Sequence, residues 1–225
     1  MSKPLRSVPY SLPRFSPALM QERIEVDLAV ARARRTVRSF SSEPVPRQLI
    51  ERAIEIAGTA PSGAHRQPWF FVAIGDPAMK AKIREAAEQE ERAFYETRIT
   101  PAWRDALAPL GTDFHKEHLT TAPWLIVLFR RDYEVQEDGT QAKSYYAQES
   151  VGIALGFLIQ ALHRVGLASL THTPAPMTFL REICGRPVSE KPFVILPVGF
   201  CAPDCEVPDL QRKSLGEIAA FFEEE

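Results

Sequence analysis

The chain has 225 residues, of which 45% are hydrophobic and 25% are charged, and its formal net charge at pH 7 is -2. This length is enough for one sizeable core, and the small net charge gives no general attraction to nucleic acid or to an anionic membrane. The longest apolar run, residues 151–159, is too short to span a bilayer. We therefore expect a soluble protein with no nucleic-acid or membrane partner.

The cysteines and the absent motifs exclude several classes of function. Cys184, Cys201 and Cys205 do not make a disulfide framework or a metal site, so we expect free thiols in a reducing cytoplasm. The N-terminus lacks the continuous apolar stretch of a signal peptide. No GxG triplet, Walker A loop, GxSxG elbow or HExxH motif occurs. The common signatures of nucleotide binding, esterase and metalloprotease chemistry are therefore absent.

The N-terminal part of the chain predicts an arm, a helix and a basic segment. Residues 1–21 contain four prolines and little periodicity, which is typical of an extended arm. Residues 22–33 have helical spacing. Three cations follow within residues 34–38, and arginine forks of this kind match phosphate oxygens. A solvated basic surface strand is the alternative interpretation of these arginines.

The next segment links an amphipathic helix, residues 48–59, to an apolar strand, residues 70–74. Between them Pro61, Gly63 and Pro68 forbid a regular helix, while small residues leave the backbone open to a close ligand. A tight connection without a ligand explains the same residues.

A charged region follows and predicts a mobile lid over about residues 77–118. Asp76 and Pro77 indicate a helix start, and the helix runs to about residue 98. Residues 113–119 predict another short helix. His115 and His118 on it could face a metal, but two surface histidines are the favoured interpretation because no further ligands follow.

The second half predicts a buried strand at residues 124–129, a polar loop at 132–140 and a very apolar helix at 145–165. That helix should be buried on all sides, and Gly152 and Gly156 permit close approach of another helix. We expect a dimer interface there, with burial inside one monomer as the alternative. The remaining predicted elements are a strand at 168–173, a helix at 179–184, a strand at 193–200 and a terminal helix at 215–222. No repeat or domain break is visible, so residues 22–225 predict one α+β domain.

Several of these segments resemble the flavin-dependent nitroreductase superfamily, namely RRTVRSF, GTAPSGAHRQPWFFV, HTPAP, LPVGF and VPDLQRK. The longer blocks TAPWLIVLF, GRPVSEKP and VPDLQRK resemble its iodotyrosine deiodinase family in particular. The resemblance covers about residues 22–219. It implies an α+β nitroreductase-like fold with a central mixed sheet flanked by helices. It also implies an intertwined homodimer that holds FMN at the subunit interface.

The resemblance carries cofactor roles over by position. The FMN-binding residues that it implies are Arg34, Arg35, Thr36, Val37, Arg38, Ser62, Thr171, His172, Thr173 and Arg212. Two basic clusters that converge on one phosphate are then favoured over two solvated patches. Thr173 is implied as the catalytic residue, because a hydroxyl beside flavin N5 favours single-electron steps. A strand-end threonine that caps the turn at Pro174 is the alternative.

The resemblance also implies a set of substrate-binding residues, which are Ala64, Glu91, Tyr95 and Lys116. Glu91 and Tyr95 are four residues apart and so share one helix face. A carboxylate can pair with the ammonium of an amino acid, while an ammonium and a phenol can meet its carboxylate. Substrate binding could then order the helix as a lid. The alternative for Glu91 is one more charge on a solvated helix.

The resemblance implies an FMN-dependent oxidoreductase that removes halide from halogenated tyrosines in single-electron steps, with an external reductase or ferredoxin-type electron donor. The alternatives are a general NAD(P)H-dependent nitroreductase or quinone reductase, and a non-catalytic flavin- or halotyrosine-binding protein. The chain departs from the family in three respects, the first of which is Thr36, which stands where many relatives have serine and keeps the hydroxyl. His172 stands where a third threonine is common, and the membrane anchor of mammalian relatives is missing, which is typical of a soluble bacterial-type homologue.

Overall fold

The structure is a computed structural model that describes residues 6–223, and the chain divides into two compact units, residues 1–34 and 35–225. The first unit contains helix α1, which spans Pro17–Ala33 and therefore begins before the predicted residue 22. Ser16 caps α1 by accepting a hydrogen bond from the Leu19 N–H, and Pro17 suits the first turn because that turn needs no N–H donor. Residues 6–16 contain no helix or strand. Residues 1–5 of the predicted arm lie outside the described residues.

The second unit is built around a four-stranded sheet with the strand order β1-β2-β6-β5. Its strands are β1 (Trp69–Ile74), β2 (Trp124–Arg131), β5 (Ala168–Ser169) and β6 (Glu190–Gly199), and a separate hairpin pairs β3 (Tyr133–Val135) with β4 (Gln141–Lys143). Neighbouring strands of the sheet are antiparallel. The mixed character expected of this sheet is confined to one parallel bridge, between Thr36 and Ser169.

Strand β2 is apolar from Trp124 to Phe129 because both faces of the sheet are covered there. Its residues 125–129 are fully buried, and alternate side chains enter two different clusters. Ile126 and Leu128 pack with residues of α2 (Arg47–Gly58) and α6 (Ala147–Arg164). The other side chains pack with α3 (Pro77–Ala93) and α7 (Phe179–Ile183). This sandwich explains why a continuous apolar run forms an antiparallel strand.

The lid region begins with α3, whose N-terminus is capped by the Asp76 carboxylate. The helix continues into a π-helical turn, Phe94–Arg98, so the helix predicted to about residue 98 is confirmed with a change of type. Helix α4 (Pro101–Leu107) and a short 3-10 turn follow. That this region moves as a lid stays a prediction.

Several predicted elements differ from the structure, and the strand predicted at 168–173 forms only the two-residue strand β5. The short helix α5 spans only His118–Thr121, because the Asp113 carboxylate accepts from the His115 N–H at 2.8 Å and stabilises a turn instead of a helix. The loop predicted at 132–140 contains strand β3. The last helix, α8, spans only Leu215–Ile218 since its apolar side chains stay exposed and no tertiary packing extends it.

Helix α6 is only partly buried within one chain, so the alternative of burial inside one monomer is wrong, and burial on all sides against a partner subunit stays a prediction. Val151, Ala154 and Leu158 face the core and are fully buried. The other face is exposed and contains Gly152, Ile153, Gly156 and Phe157. Small and apolar side chains thus form an open stripe along this helix. Within residues 6–223, no helix is long and apolar enough to cross a membrane.

Candidate active site

A cavity of about 400 Å³ opens between the π-helical turn, helix α4 and the segment that follows β5. Its walls contain residues from sequence positions far apart: Arg38, Glu91, Phe94, Tyr95, Arg98, Trp103, Leu107, Thr112, Lys116, His118, Leu170, Thr171, His172, Thr173 and Ala175. The size is that of a small-molecule site, and the walls combine aromatic surface with a few polar groups. The cavity therefore brings together seven of the predicted site residues: Arg38, Glu91, Tyr95, Lys116, Thr171, His172 and Thr173.

At one end of the cavity, Lys116 and Glu91 form a buried ion pair. The Lys116 ammonium lies 3.4 Å from a Glu91 carboxylate oxygen, and the two side chains are 4% and 15% exposed. The ammonium also donates to the Asp113 carbonyl and approaches the Thr112 hydroxyl at 3.4 Å. Each of these partners is an oxygen, so the lysine side chain is held in one place.

Tyr95 completes this end of the cavity. Its ring centroid lies 5.9 Å from the Lys116 ammonium, and its hydroxyl donates to the Thr112 carbonyl at 3.1 Å. Burial and the charge of Glu91 raise the pKa of the Tyr95 phenol. The phenol therefore stays protonated at neutral pH and remains a hydrogen-bond donor. The structure thus places the predicted Glu91, Tyr95 and Lys116 side by side.

The π-helical turn explains how Tyr95 reaches this position. The Ile99 N–H donates to the Phe94 carbonyl, five residues back, at 2.9 Å. The wider turn changes the facing of the side chains that follow α3, and such turns occur often at functional sites. Phe94 packs edge-on against both Tyr95 and Trp103, with ring centroids 5.4 and 4.8 Å apart. These aromatic contacts join the turn to α4.

The opposite wall is the segment Thr171–Thr173. His172 exchanges two backbone hydrogen bonds with Ile195 of β6, each 2.9 Å long, which holds the segment at the sheet edge. The His172 side chain is buried, whereas Thr171 and Thr173 are exposed in the single chain. Because side chains alternate along an extended segment, both threonine hydroxyls are available to a ligand on the other face.

Two buried histidines, His118 and His172, lie in the wall between these ends. They are 8% and 7% exposed, and their rings pack edge to face with centroids 5.6 Å apart. Among the described residues, neither Nε2 atom has a hydrogen-bond partner. Burial, assisted by the charges of Lys116 and Arg38, lowers the pKa of His118 to about 4 and of His172 to about 3. The surface location predicted for His118 is therefore wrong, while His115 is exposed as predicted.

The remaining predicted cofactor residues lie outside the cavity walls of the single chain. Arg35 donates to the Pro208 carbonyl and so anchors the segment that leads to Arg212. Thr36 forms its bridge to Ser169, and Val37 is buried beside it with its N–H on the Ser169 carbonyl. Arg34 is the last residue of the first compact unit, whereas all residues that line the cavity belong to the second.

Ser62 and Ala64 lie in the turn between α2 and β1, also away from the cavity walls. The Ser62 hydroxyl accepts from the Gln67 N–H at 2.9 Å, so this side chain holds its own turn. Ala64 has a left-handed φ of 49° and is exposed. Neither residue lines the cavity of its own chain.

Sequence reasoning missed Thr112 and Glu88, which support Lys116 from both sides. The Glu88 carboxylate accepts the Lys116 N–H at 2.7 Å and also pairs with Arg84 at 2.7 Å. Glu88 lies three residues before Glu91, so the shared helix face was a signal for it. No comparable signal marks Thr112. Within the described part of the chain, no group of three or more His, Cys, Asp or Glu side chains could hold a metal ion.

The buried histidines predict a loss of stability in acid. Since an unfolded histidine binds its proton near pH 6.5, the unfolded state gains protons first as the pH falls. Between pH 7 and pH 4.5 each histidine should lower the free energy of unfolding by about 2–3 kcal/mol. Urea unfolding at both pH values measures this loss.

In that measurement, His118→Phe and His172→Thr should each make the loss of stability smaller. The exposed His115 provides the matched control, and His115→Gln should leave the loss as large as in the wild type. An unchanged pH dependence in both buried-site variants would contradict the neutral, buried state of the pair.

Comparison with known proteins places this geometry in a family. The model of the Nitroreductase family matches residues 31–200. Iodotyrosine deiodinase of Haliscomenobacter hydrossis is 50% identical over 215 residues, which cover 96% of this chain and 97% of that protein. Iodotyrosine deiodinase 1 of Mus musculus is 44% identical over 94% of this chain and 74% of its own length.

Comparison with solved structures supports the same family. The chain is similar to oxidized iodotyrosine deiodinase bound to FMN and 3-iodo-L-tyrosine, with a TM-score of 0.75 and 29% identity over 87% of this chain and 100% of that one. A nitroreductase with bound FMN from Bacteroides fragilis shares the fold, with a TM-score of 0.63 and 20% identity over 87% and 98% of the two chains. The predicted nitroreductase-like α+β fold and the predicted resemblance are thereby confirmed. The chain belongs to the iodotyrosine deiodinase family of nitroreductases.

Proposed function

We propose that this protein is an FMN-dependent oxidoreductase that converts halogenated tyrosines, such as 3-iodo-L-tyrosine, to tyrosine and halide. The observation that carries the proposal is the buried pair of Lys116 and Glu91 at the end of an aromatic cavity. Two opposite charges held 3.4 Å apart match the two charges of an amino acid. The names of the relatives and the ligands of the similar solved structure support the same substrate class.

In this proposal the zwitterion of the substrate takes over the two halves of the ion pair. The Glu91 carboxylate binds the substrate ammonium, and the Lys116 ammonium binds the substrate carboxylate. Tyr95, whose phenol stays protonated, donates to the same carboxylate. Substrate binding thus replaces one buried ion pair by two. It also orders the π-helical turn over the ligand as a lid.

The donors in the cavity fit FMN as the cofactor. Arg38 provides a fixed cation, and Thr171 and Thr173 provide two hydroxyls on one exposed face. Hydrogen-bond donors of this kind suit the nitrogen and oxygen atoms at the edge of a flavin ring. When bound, FMN supplies the electrons that break the carbon–halogen bond, and we propose that Thr173 tunes it for single-electron steps.

We propose the following residues as the FMN site: Arg34, Arg35, Thr36, Val37, Arg38, Ser62, Thr171, His172, Thr173 and Arg212. The arginines at the two ends of this set would meet the phosphate, for which guanidinium is well suited. Electrons would come from an external reductase or ferredoxin-type donor, since no GxG dinucleotide motif occurs in the chain. The three free cysteines support a reducing, cytoplasmic location.

A homodimer completes the proposal. The open stripe of α6 exposes Ile153 and Phe157 by 43% and 40%, and its two glycines allow another helix to approach closely. Ser62 and Ala64 lie outside the cavity walls of their own chain. In a two-fold dimer each chain would lend this turn to the cavity of the other.

The direct test of the function is anaerobic. The purified protein with FMN is reduced with dithionite and then mixed with 3-iodo-L-tyrosine, while flavin reoxidation, tyrosine and iodide are measured. We expect equal amounts of tyrosine and iodide per reoxidised flavin. Reoxidation by nitroarenes or quinones without any reaction with halotyrosines would instead support a general nitroreductase, and binding without turnover would support a binding protein.

Replacing Glu91 tests the grip on the substrate ammonium. Glu91→Gln should weaken binding of 3-iodo-L-tyrosine by more than about tenfold, because a charge-assisted contact is lost. Glu96→Gln, which changes an exposed carboxylate in the π-helical turn that follows α3, is the matched control and should bind normally. An iodophenol analogue without the amino group should bind both variants and the wild type equally. Equal loss of that analogue would contradict the assigned role.

Replacing Thr173 tests the tuning of the cofactor. Thr173→Ala should retain FMN but slow halide release by at least about tenfold, since one hydrogen bond is worth about that factor. Thr173→Ser keeps the hydroxyl and should retain most of the activity. Single-turnover reoxidation of the reduced proteins measures the rate. A full rate in Thr173→Ala would exclude this role for the hydroxyl.

Replacing Phe157 tests the dimer. Phe157→Glu puts a charge into the apolar stripe of α6, so it should shift the protein from dimer to monomer and reduce FMN retention. Val135→Glu, on an exposed hairpin strand, is the control and should stay dimeric. Light scattering gives the mass in solution. A monomeric wild type that still retains FMN would contradict the shared site.

A further inference from the structure

The turn that connects α2 to β1 has an unusual backbone. Ala64, His65 and Gln67 have φ values of 49°, 55° and 48°, in the left-handed region that non-glycine residues rarely adopt. Such conformations persist only where surrounding contacts determine them, and they cluster at functional sites. The contacts that hold this turn therefore indicate what the turn is for.

The main support from outside the turn is Ser150, in the first turn of α6. Its side chain is almost completely buried, and its hydroxyl accepts a hydrogen bond from the Gly63 N–H at 3.2 Å. The same hydroxyl donates to the Tyr146 carbonyl at 2.6 Å. Tyr146 is itself left-handed, with a φ of 51°. One hydroxyl thus joins two backbone segments that are both in left-handed conformations.

The packing between these segments leaves no room for adjustment. A Cβ atom added to Gly63 would lie 2.5 Å from the Tyr145 carbonyl oxygen and 3.1 Å from the Tyr146 ring. The backbone of the turn therefore rests directly on the start of α6. Only glycine permits this approach, and the hydrogen bond to Ser150 sets its direction.

The hydrogen bonds of the turn leave two of its backbone donors, the N–H groups of Ser62 and Ala64, without an acceptor among the residues that the structure describes. The N–H groups of residues 63, 65, 66 and 67 all have protein acceptors, which are the Ser150 hydroxyl, the Ser62 carbonyl, the Gly63 carbonyl and the Ser62 hydroxyl. The N–H of Ala64 has no acceptor among the residues that the structure describes, and Ala64 is exposed. A fixed backbone donor of this kind is suited to an anionic oxygen.

We infer that Ser150 is a positioning residue, which presets the Ala64 N–H as the donor to the phenolate oxygen of a halotyrosine. This inference rests on the proposed function. A donor fixed before binding costs no reorganisation and favours the phenolate over the phenol. Loss of the Ser150 hydroxyl would free the turn and weaken that preference.

A purely local role for Ser150 is the competing explanation. Serine in a helix often donates to the carbonyl four residues back, as Ser150 does to Tyr146. That bond alone would affect the stability of α6 and nothing at the ligand. The second bond, to Gly63 in a segment 87 residues away, is what connects the hydroxyl to the turn.

The test is a titration of bound ligand. The oxidised FMN-bound protein is mixed with 3-iodo-L-tyrosine, and the phenol-to-phenolate absorbance change of the bound ligand is followed against pH. In Ser150→Ala we expect the apparent pKa of the bound phenol to rise by about one unit towards that of the free ligand. Ser150→Thr keeps the hydroxyl and should restore the wild-type value. Should Ser150→Ala lose its FMN, Ser150→Cys, whose thiol is a weak hydrogen-bond partner, must give the same rise.

A matched control comes from another buried serine. Ser144 is 6% exposed and lies six residues earlier in the chain, and Ser144→Ala should leave the titration unchanged. An unchanged titration in Ser150→Ala, with a wild type that binds the ligand as phenolate and releases iodide, would overturn this inference alone. A wild type that neither binds nor dehalogenates 3-iodo-L-tyrosine would instead overturn the proposed function.

Discussion

The buried pair of Lys116 and Glu91 is the constraint around which the cavity is organised. Removing two charges from water is unfavourable, and their attraction offsets this only if the geometry is fixed and the remaining donors are satisfied. Both conditions are met here, because oxygen atoms of Asp113 and Thr112 surround the ammonium and Glu88 holds the backbone of Lys116. The ion pair therefore joins α3 to the segment before α5, and both must keep their positions for the pair to form.

Burial determines the state of the two histidines in the cavity wall. It lowers the pKa of His118 and of His172, and the charges of Lys116 and Arg38 add to this effect, so both imidazoles are neutral at pH 7. The positive charge of the cavity walls therefore comes from Arg38, Arg98 and Lys116 and not from the imidazoles. These cations are the groups that an acidic part of a ligand can meet.

The parts of this site that the sequence predicts are those encoded in local spacing. Glu91 and Tyr95 are four residues apart, so their spacing alone predicts that they lie close together. The capping pattern at Asp76 correctly predicts where the helix begins. The arginine motif gains its meaning from the resemblance, because three cations alone fit a solvated strand equally well. Likewise, the apolar run of β2 predicts a buried strand but leaves its neighbours open, since pairing with β1 and β6 depends on residues far away in the chain.

Burial and backbone conformation at the site depend on those distant contacts, which explains where sequence reasoning failed. His118 and His115 look alike in sequence, yet only His118 is buried, against His172 of the segment after β5, and burial is the main cause of its lowered pKa. The left-handed turn at Ala64 likewise depends on the contact of Gly63 with the start of α6. No local sequence pattern predicts this contact. The turn is strained and its Ala64 N–H has no acceptor among the described residues, so it is a poor connector between a helix and a strand. Under the inference about Ser150, the strained backbone is what directs the Ala64 N–H towards the ligand. A relaxed connection would direct this donor elsewhere.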